Sequence, residues 1–356
     1  MRAATFQGVR RVKVSDKPAP AVVESTDVVV EVELAGLCGS DLHPYRGHEV
    51  GIEPGTTMGH EFTGRVVEVG EEVRRFRTGD LVISPFTTSC GECGPCRRGL
   101  SSRCERGSLY GWVEHGAGLE GAQAQYVRVP LADSTLLARD PALSALEGLL
   151  LGDVISTGFH VVRQGEVQPD TPVAVLGLGA VGLAAVLACH QRGAPAVIGL
   201  DAVPERLALA ERLGASVIPV TDGSGEPRAT GDIAREVRAL AGPEGVGVAI
   251  DAVGSPHVTE LAVALLRPGG VLSIAGVHTE DTFALSPAAA YDKNLTLTIG
   301  RCPVRSHLEE LCRMQLAERL PIEQIVSHWI PLADAADAYR MFDQRRNGCV
   351  KVVFEP

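Results

Sequence analysis

Residues 173–182 read VAVLGLGAVG. The first four form a valine-rich buried strand, the glycines at GxGxxG spacing form a turn, and the apolar run AVGLAAVLACHQRGA continues as a helix. Each glycine has its own reason. Gly177 makes the tight turn, Gly179 lets a pyrophosphate approach the backbone, and Gly182 lets helix and strand pack closely. The helix N-terminus then offers amides and a positive dipole end to phosphates. The next strand, VIGLDA, ends at Asp201, 19 residues after Gly182. A carboxylate there is expected to accept from both ribose hydroxyls of NAD and to repel a 2′-phosphate. The residues AVPE that follow provide no basic cradle, and Arg206 is expected along the adenosine side. In that context a purely steric reading of the glycines is outweighed, and the cofactor expected is NAD.

Beyond Asp201 come the helix PERLALAERLGA, the strands SVIPV and GVAIDAVG, a helix over 258–266, then GGVLSIAGV and LTLTIG. Strands alternating with helices imply a doubly wound parallel sheet, assigned to 156–300. Upstream, in 1–155, the apolar runs are short and valine-rich (DVVVEVEL, GRVVEVG, DLVISPF, AQYVRVP) and are separated by Gly, Pro and Asp. They predict an irregular, mostly antiparallel β domain. Downstream, 301–356 predicts helices around 308–320 and 333–345 and a closing strand VKVVF. The fold class is α/β.

Composition agrees with two globular domains: 356 residues, 45% hydrophobic and 22% charged. The net charge of −11 argues against nucleic acid or an anionic membrane as the main partner. No run of about 18 uncharged apolar residues stands out. The opening MRAATFQGVRRVKVSDKPAP lacks a secretory h-region, so a cytoplasmic location is expected. The nine cysteines are then expected as thiols or metal ligands.

Four of those cysteines, Cys90, Cys93, Cys96 and Cys104, make a C-x2-C-x2-C-x7-C pattern. Four thiolates suit a closed tetrahedral zinc site of structural type, with an iron–sulfur cluster as the rival. A second set is dispersed: Cys38 in AGLCGSDLHPYRG, His60 and Glu61 in TMGHEFTG, and Asp153 in GDVISTGFH. Taken singly, each of these has an ordinary structural explanation.

Taken in order, CGSDLH, GHEFTGRVVEVG, the four-cysteine lobe, D-x-x-STG, GLGAVG and a terminal KVV strand make the chain resemble the zinc-containing alcohol dehydrogenases of the medium-chain dehydrogenase/reductase family. The resemblance implies a GroES-like catalytic domain that resumes after a Rossmann domain, with one catalytic and one structural zinc. It implies that Cys38, His60 and Asp153 are the catalytic ligands, that Glu61 is a fourth or exchangeable one, and that Asp41 orients His60. Asp153 resembles a bacterial and archaeal group that includes secondary-alcohol dehydrogenases and glutathione-independent formaldehyde dehydrogenases. Ser40 and His43 match a proton relay running through the nicotinamide ribose. Thr157 and Val181 match residues pressing on the nicotinamide, Lys351 matches a pyrophosphate contact, and Arg301 is expected to face cofactor or substrate.

The activity implied is reversible hydride transfer from a primary or secondary alcohol to NAD, giving an aldehyde or ketone. Polyol (sorbitol-type), threonine and formaldehyde dehydrogenases on the same scaffold are the alternatives. The chain lacks the large insertion typical of the formaldehyde enzymes. A zinc-free, non-enzymatic relative would lack both cysteine features. Segments 48–57, 110–121 and 301–306 are expected to line the substrate pocket, and the family precedent is a homotetramer whose dimers join their Rossmann sheets.

Overall fold

The computed structural model describes residues 1–356. The chain divides into one unit of Met1–Ser156 with Pro303–Pro356 and a second unit of Thr157–Cys302.

The second unit is a six-stranded parallel sheet. Its strands lie in the order Ser216–Pro219, Val197–Asp201, Val173–Leu176, Val246–Asp251, Leu266–Ile274, Thr296–Ile299. In chain order that is third, second, first, fourth, fifth, sixth. The order reverses beside Val173–Leu176, the position at which open α/β sheets of this kind take a ligand at the carboxyl ends of their strands. Val173–Leu176, Val197–Asp201 and Val246–Asp251 are buried throughout, as strands covered by helices on both faces must be. The edge strand Thr296–Ile299 is half exposed.

Two differences from the sequence reading appear here. A helix at Thr230–Ala241 had no counterpart in it; the helix buries Ile233, Ala234 and Val237 along one stripe. The helix expected over 258–266 runs Pro256–Leu265, because Leu266 already begins a strand.

The first unit is built on a seven-stranded sheet centred on Val28–Leu37. That strand pairs antiparallel with Phe62–Val69, Tyr126–Val129 and the C-terminal Val352–Glu355. The last residues of the chain thus complete a sheet begun near its start. Helices Val304–Glu318 and Ala335–Asp343 belong to the same unit. The stretch Ala145–Gln164 is helical and apolar enough to cross a bilayer by length, but 72% of it is buried inside the protein, as in a core helix.

Candidate active site

Strand pairing brings the dispersed ligands together. Ala35 pairs with Phe62, so Cys38, just past one strand, comes beside His60 and Glu61, just before the other. Asp153 joins them from the break between Ala145–Leu151 and Val154–Gln164. The donor atoms of Cys38, His60, Glu61 and Asp153 all lie within 4.8 Å of one another. Gly36 makes room for this: a Cβ there would lie 2.1 Å from Glu61 Oε2.

His60 Nδ1 faces Asp41 Oδ1 at 3.1 Å, leaving Nε2 toward Asp153 Oδ2 at 3.5 Å and Ser40 Oγ at 3.2 Å. An acceptor on Nδ1 fixes the proton there and keeps the Nε2 lone pair for a metal. Burial opposes a charge on His60, yet Asp41 and Asp153 outweigh it and hold the imidazole well above its ordinary value. Burial raises the Cys38 thiol, helped by Glu61 and Asp153 and opposed by His60. Glu61 is also raised, first by burial, with Lys351 opposing and Asp153 adding. Its Oε1 is buried with no hydrogen-bond partner. A cluster that holds protons against its ordinary acidity, with an orphaned carboxylate oxygen, suits a divalent cation, and sulfur, imidazole and carboxylate donors suit zinc.

Lys351, expected at the cofactor pyrophosphate, has its side chain 1% exposed, its Nζ ion-paired with Glu61 Oε2 and donating to the Leu37 carbonyl at 3.2 Å. The buried Glu61 carboxyl is the ion-pair partner that holds the ammonium there. His43 is half-buried on the short helix Leu42–Arg46, its ring centroid 6.2 Å from that of exposed His48. Nothing in local spacing singles out Gln123, whose amide reaches Asp41 Oδ2 at 3.2 Å.

The donor atoms of Cys90, Cys93, Cys96 and Cys104 also lie within 4.8 Å of one another. Cys93 Sγ is 3.8 Å from Cys104 Sγ. A tetrahedral ion with Zn–S bonds of about 2.3 Å separates its sulfurs by about 3.8 Å. That spacing fits a single ion and leaves no room for the added irons and sulfides of a cluster. Burial opposes ionisation of Cys90, but the Glu92 amide, Arg106 and the Cys93 amide outweigh it and draw the thiol down to about 6. Burial and the neighbouring Cys93 push Cys96 up to about 12. Crowded sulfurs resist joint ionisation unless a cation lies among them.

In the second unit each fingerprint glycine has its own geometry. Gly177 has φ +88°, and a Cβ there would meet Val253 Cγ2 at 2.2 Å. A Cβ on Gly182 would lie 1.8 Å from the Gly177 carbonyl oxygen. A Cβ on Gly179 would meet nothing within 4 Å, so this backbone faces open space at the start of helix Ala180–Gln191, where a pyrophosphate fits. Asp201 Oδ2 accepts from the Leu178 amide at 2.7 Å and Oδ1 from Val203 at 2.9 Å, tying strand end to glycine turn. Arg206 Nη1 lies 3.7 Å from Asp201 Oδ2. Val181 is in the first turn after Gly179, and Thr157 is in the helix Val154–Gln164. The helices carrying them meet closely, since a Cβ on Gly158 would lie 2.5 Å from Ala184 Cβ. Arg301 is exposed just past the edge strand.

One expected pocket-lining residue belongs to the core instead. Tyr110 is buried edge-on against Phe62, ring centroids 5.1 Å apart, with its hydroxyl on Ser84 Oγ at 3.3 Å.

Comparison with known proteins agrees with this layout. Residues 24–139 match the alcohol dehydrogenase GroES-like domain, and residues 180–314 match the zinc-binding dehydrogenase domain. Zinc-type alcohol dehydrogenase B of Aspergillus flavus is 36% identical over 100% of this chain and 81% of its own length. A glutathione-independent formaldehyde dehydrogenase of Pseudomonas aeruginosa is 31% identical over 96% of this chain and 94% of its own. Among solved structures, the alcohol dehydrogenase TADH from Thermus sp. ATN1 superposes with a TM-score of 0.91 at 37% identity, covering 100% of this chain and 99% of that one. With both domains matched in order and relatives alike along its whole length, the chain belongs to the zinc-containing alcohol dehydrogenases of the medium-chain dehydrogenase/reductase family.

Proposed function

We propose that this chain is an NAD-dependent alcohol dehydrogenase, holding one catalytic and one structural zinc and interconverting a primary or secondary alcohol with its aldehyde or ketone. The observation that carries the reading is the convergence of the Cys38, His60, Glu61 and Asp153 donors within 4.8 Å. When bound there, zinc supplies a Lewis acid that lowers the pKa of an alcohol oxygen. Asp41 holds the His60 proton on Nδ1 and so keeps the ligand nitrogen basic. Ser40 Oγ, 3.2 Å from His60 Nε2, is placed to accept the substrate's hydroxyl proton, and His43 with its neighbour His48 leads outward to solvent. The glycine turn and Asp201 support the dinucleotide, with Asp201 favouring NAD over NADP.

Zinc-replete protein would be assayed by nicotinamide absorbance with NAD or NADP against ethanol, butanol, benzyl alcohol, 2-butanol, cyclohexanol, formaldehyde, sorbitol and threonine. Chelator-sensitive turnover of simple alcohols with NAD is the expected result. Turnover confined to formaldehyde, the substrate in the Pseudomonas relative's name, or to sorbitol or threonine, would replace the alcohol reading. Preference for NADP would overturn the role given to Asp201.

The chain is further proposed to form a homotetramer. The edge strand Thr296–Ile299, with Leu297 and Ile299 exposed, supports sheet joining between copies. A cytoplasmic location is supported by the four-cysteine lobe, which needs reduced thiols.

A further inference from the structure

Behind the catalytic cluster a buried polar chain runs away from the metal ligands. Asp41 Oδ1 accepts from His60 Nδ1 at 3.1 Å, while its Oδ2 accepts from the Cys38 amide at 3.0 Å and from Gln123 Nε2 at 3.2 Å. Gln123 Nε2 also donates to the Gly36 carbonyl at 3.0 Å, and Gln123 Oε1 accepts from the Tyr339 hydroxyl at 2.8 Å. Gln123 and Tyr339 are both 0% exposed.

The direction of every bond in this chain is determined. A carboxylate and a backbone carbonyl only accept, so the Gln123 NH2 group must face Asp41 and Gly36, and its oxygen must face Tyr339. Burial, then the Asp41 charge, hold the Tyr339 hydroxyl well above its ordinary value, so it is the donor to Gln123. The amide is hemmed in as well: a Cβ on Gly59 would lie 2.4 Å from Gln123 Cγ. Tyr339 itself packs against Tyr45, ring centroids 5.4 Å apart and planes tilted by 40°, and Tyr45 lies on the helix that carries His43.

We propose that Gln123 and Tyr339 are positioning residues of the catalytic metal site: Tyr339 fixes the Gln123 amide, and Gln123 orients the Asp41 carboxylate that holds His60 in its metal-binding tautomer. Without the Tyr339 hydroxyl, Gln123 Oε1 is left buried without its donor, and the amide plane loses the contact that fixes its far side. The donor to Asp41 Oδ2 is then held less firmly, and with it the orientation of the carboxylate toward His60. The effect reaches the ligand His60 through two hydrogen bonds from Gln123 and three from Tyr339, without either residue touching the metal.

The inference rests on the zinc reading of the 38/60/61/153 cluster, and the protein carries its own control in the four-cysteine lobe. Wild-type protein loaded with zinc, and then with cobalt, would be compared with Tyr339→Phe and Gln123→Met. Metal release to a chromogenic chelator gives one readout and the cobalt visible spectrum the other. Partners of ligating histidines change metal affinity by about 10–100-fold. Gln123→Met is expected in that range and Tyr339→Phe, one bond further out, at about 3–10-fold. Both losses are expected at one metal of the two, with a shifted cobalt spectrum and the lobe metal retained. Retention within twofold of wild type at both sites, with an unchanged cobalt spectrum, would overturn the proposal. Joint loss of both metals would also overturn it, since that marks a general destabilisation. Wild-type protein that binds metal only at the lobe would instead remove the zinc reading on which the inference stands.

Discussion

Three glycines of one turn do three different jobs, and substitution separates them. Gly179→Ala adds a methyl where nothing lies within 4 Å, in an extended conformation that alanine adopts. Its melting temperature should match wild type while dinucleotide affinity falls by about 1.4 kcal/mol or more, tenfold in Kd. Gly182→Ala drives a methyl to 1.8 Å from the Gly177 carbonyl and should cost about 1–3 kcal/mol of stability before any ligand is added. Thermal melts beside NADH fluorescence titrations check both; equal effects of the two substitutions on affinity and stability would contradict the assignment. These residues were readable in the sequence because each requirement is local, a turn and its flanking strand and helix. The same holds for the four cysteines, spaced so closely that one loop must gather them. Gln123 and Tyr339 were not readable as site residues, since Gln123 reaches Asp41, and Tyr339 reaches Gln123, only across large sequence separations that the fold closes. The Lys351–Glu61 pair was likewise not legible, since sequence order does not place the two beside each other.

At the level of elements, the helix Ala145–Leu151, which ends just before Asp153, begins with a capping box. Ser144 Oγ accepts from the Glu147 amide at 3.0 Å, and the Glu147 carboxylate accepts from the Ser144 amide at 2.8 Å. Removing the cap with Ser144→Ala should lower stability by about 1 kcal/mol in denaturant titration. Burial raises the Glu147 carboxyl, but the Gln315 amide, the Ser144 amide and hydroxyl, and Arg319 outweigh it and hold it below the usual range. A depressed folded-state pKa contributes stability above the unfolded carboxylate value and loses it as pH falls through the folded one. Glu147→Gln should therefore be less stable than wild type at neutral pH, with the gap closing in acid; a gap independent of pH would show that the ionised form plays no part. Parallel strands were legible as unbroken apolar runs, whereas the helix Thr230–Ala241 was not, because Gly231 and Asp232 open it with little propensity and its buried stripe is short.

For the molecule as a whole, the exposed edge of the parallel sheet carries the assembly reading. Replacing both Leu297 and Ile299, 40% and 53% exposed, with lysine puts charge on that edge and should lower the mass found by light scattering without changing the circular dichroism. A wild-type protein that runs as a monomer, or a double variant of unchanged mass, would refute sheet joining there. The interrupted layout of the first unit has a further consequence, in the order of synthesis. The ribosome has released every strand of the second unit once Ile299 is clear, while the first unit still lacks His328–Pro331 and Val352–Glu355. The later-encoded half of the fold can thus close first, and the earlier half waits with one side of Ala35–Leu37 bare. Lys351, the counter-ion of Glu61, is made after every strand of the second unit, so the buried charge of the cluster is balanced late in synthesis. A chain cut just before Lys351 would therefore keep every strand of the second unit beside a Cys38, His60, Glu61 and Asp153 cluster with an unbalanced buried charge.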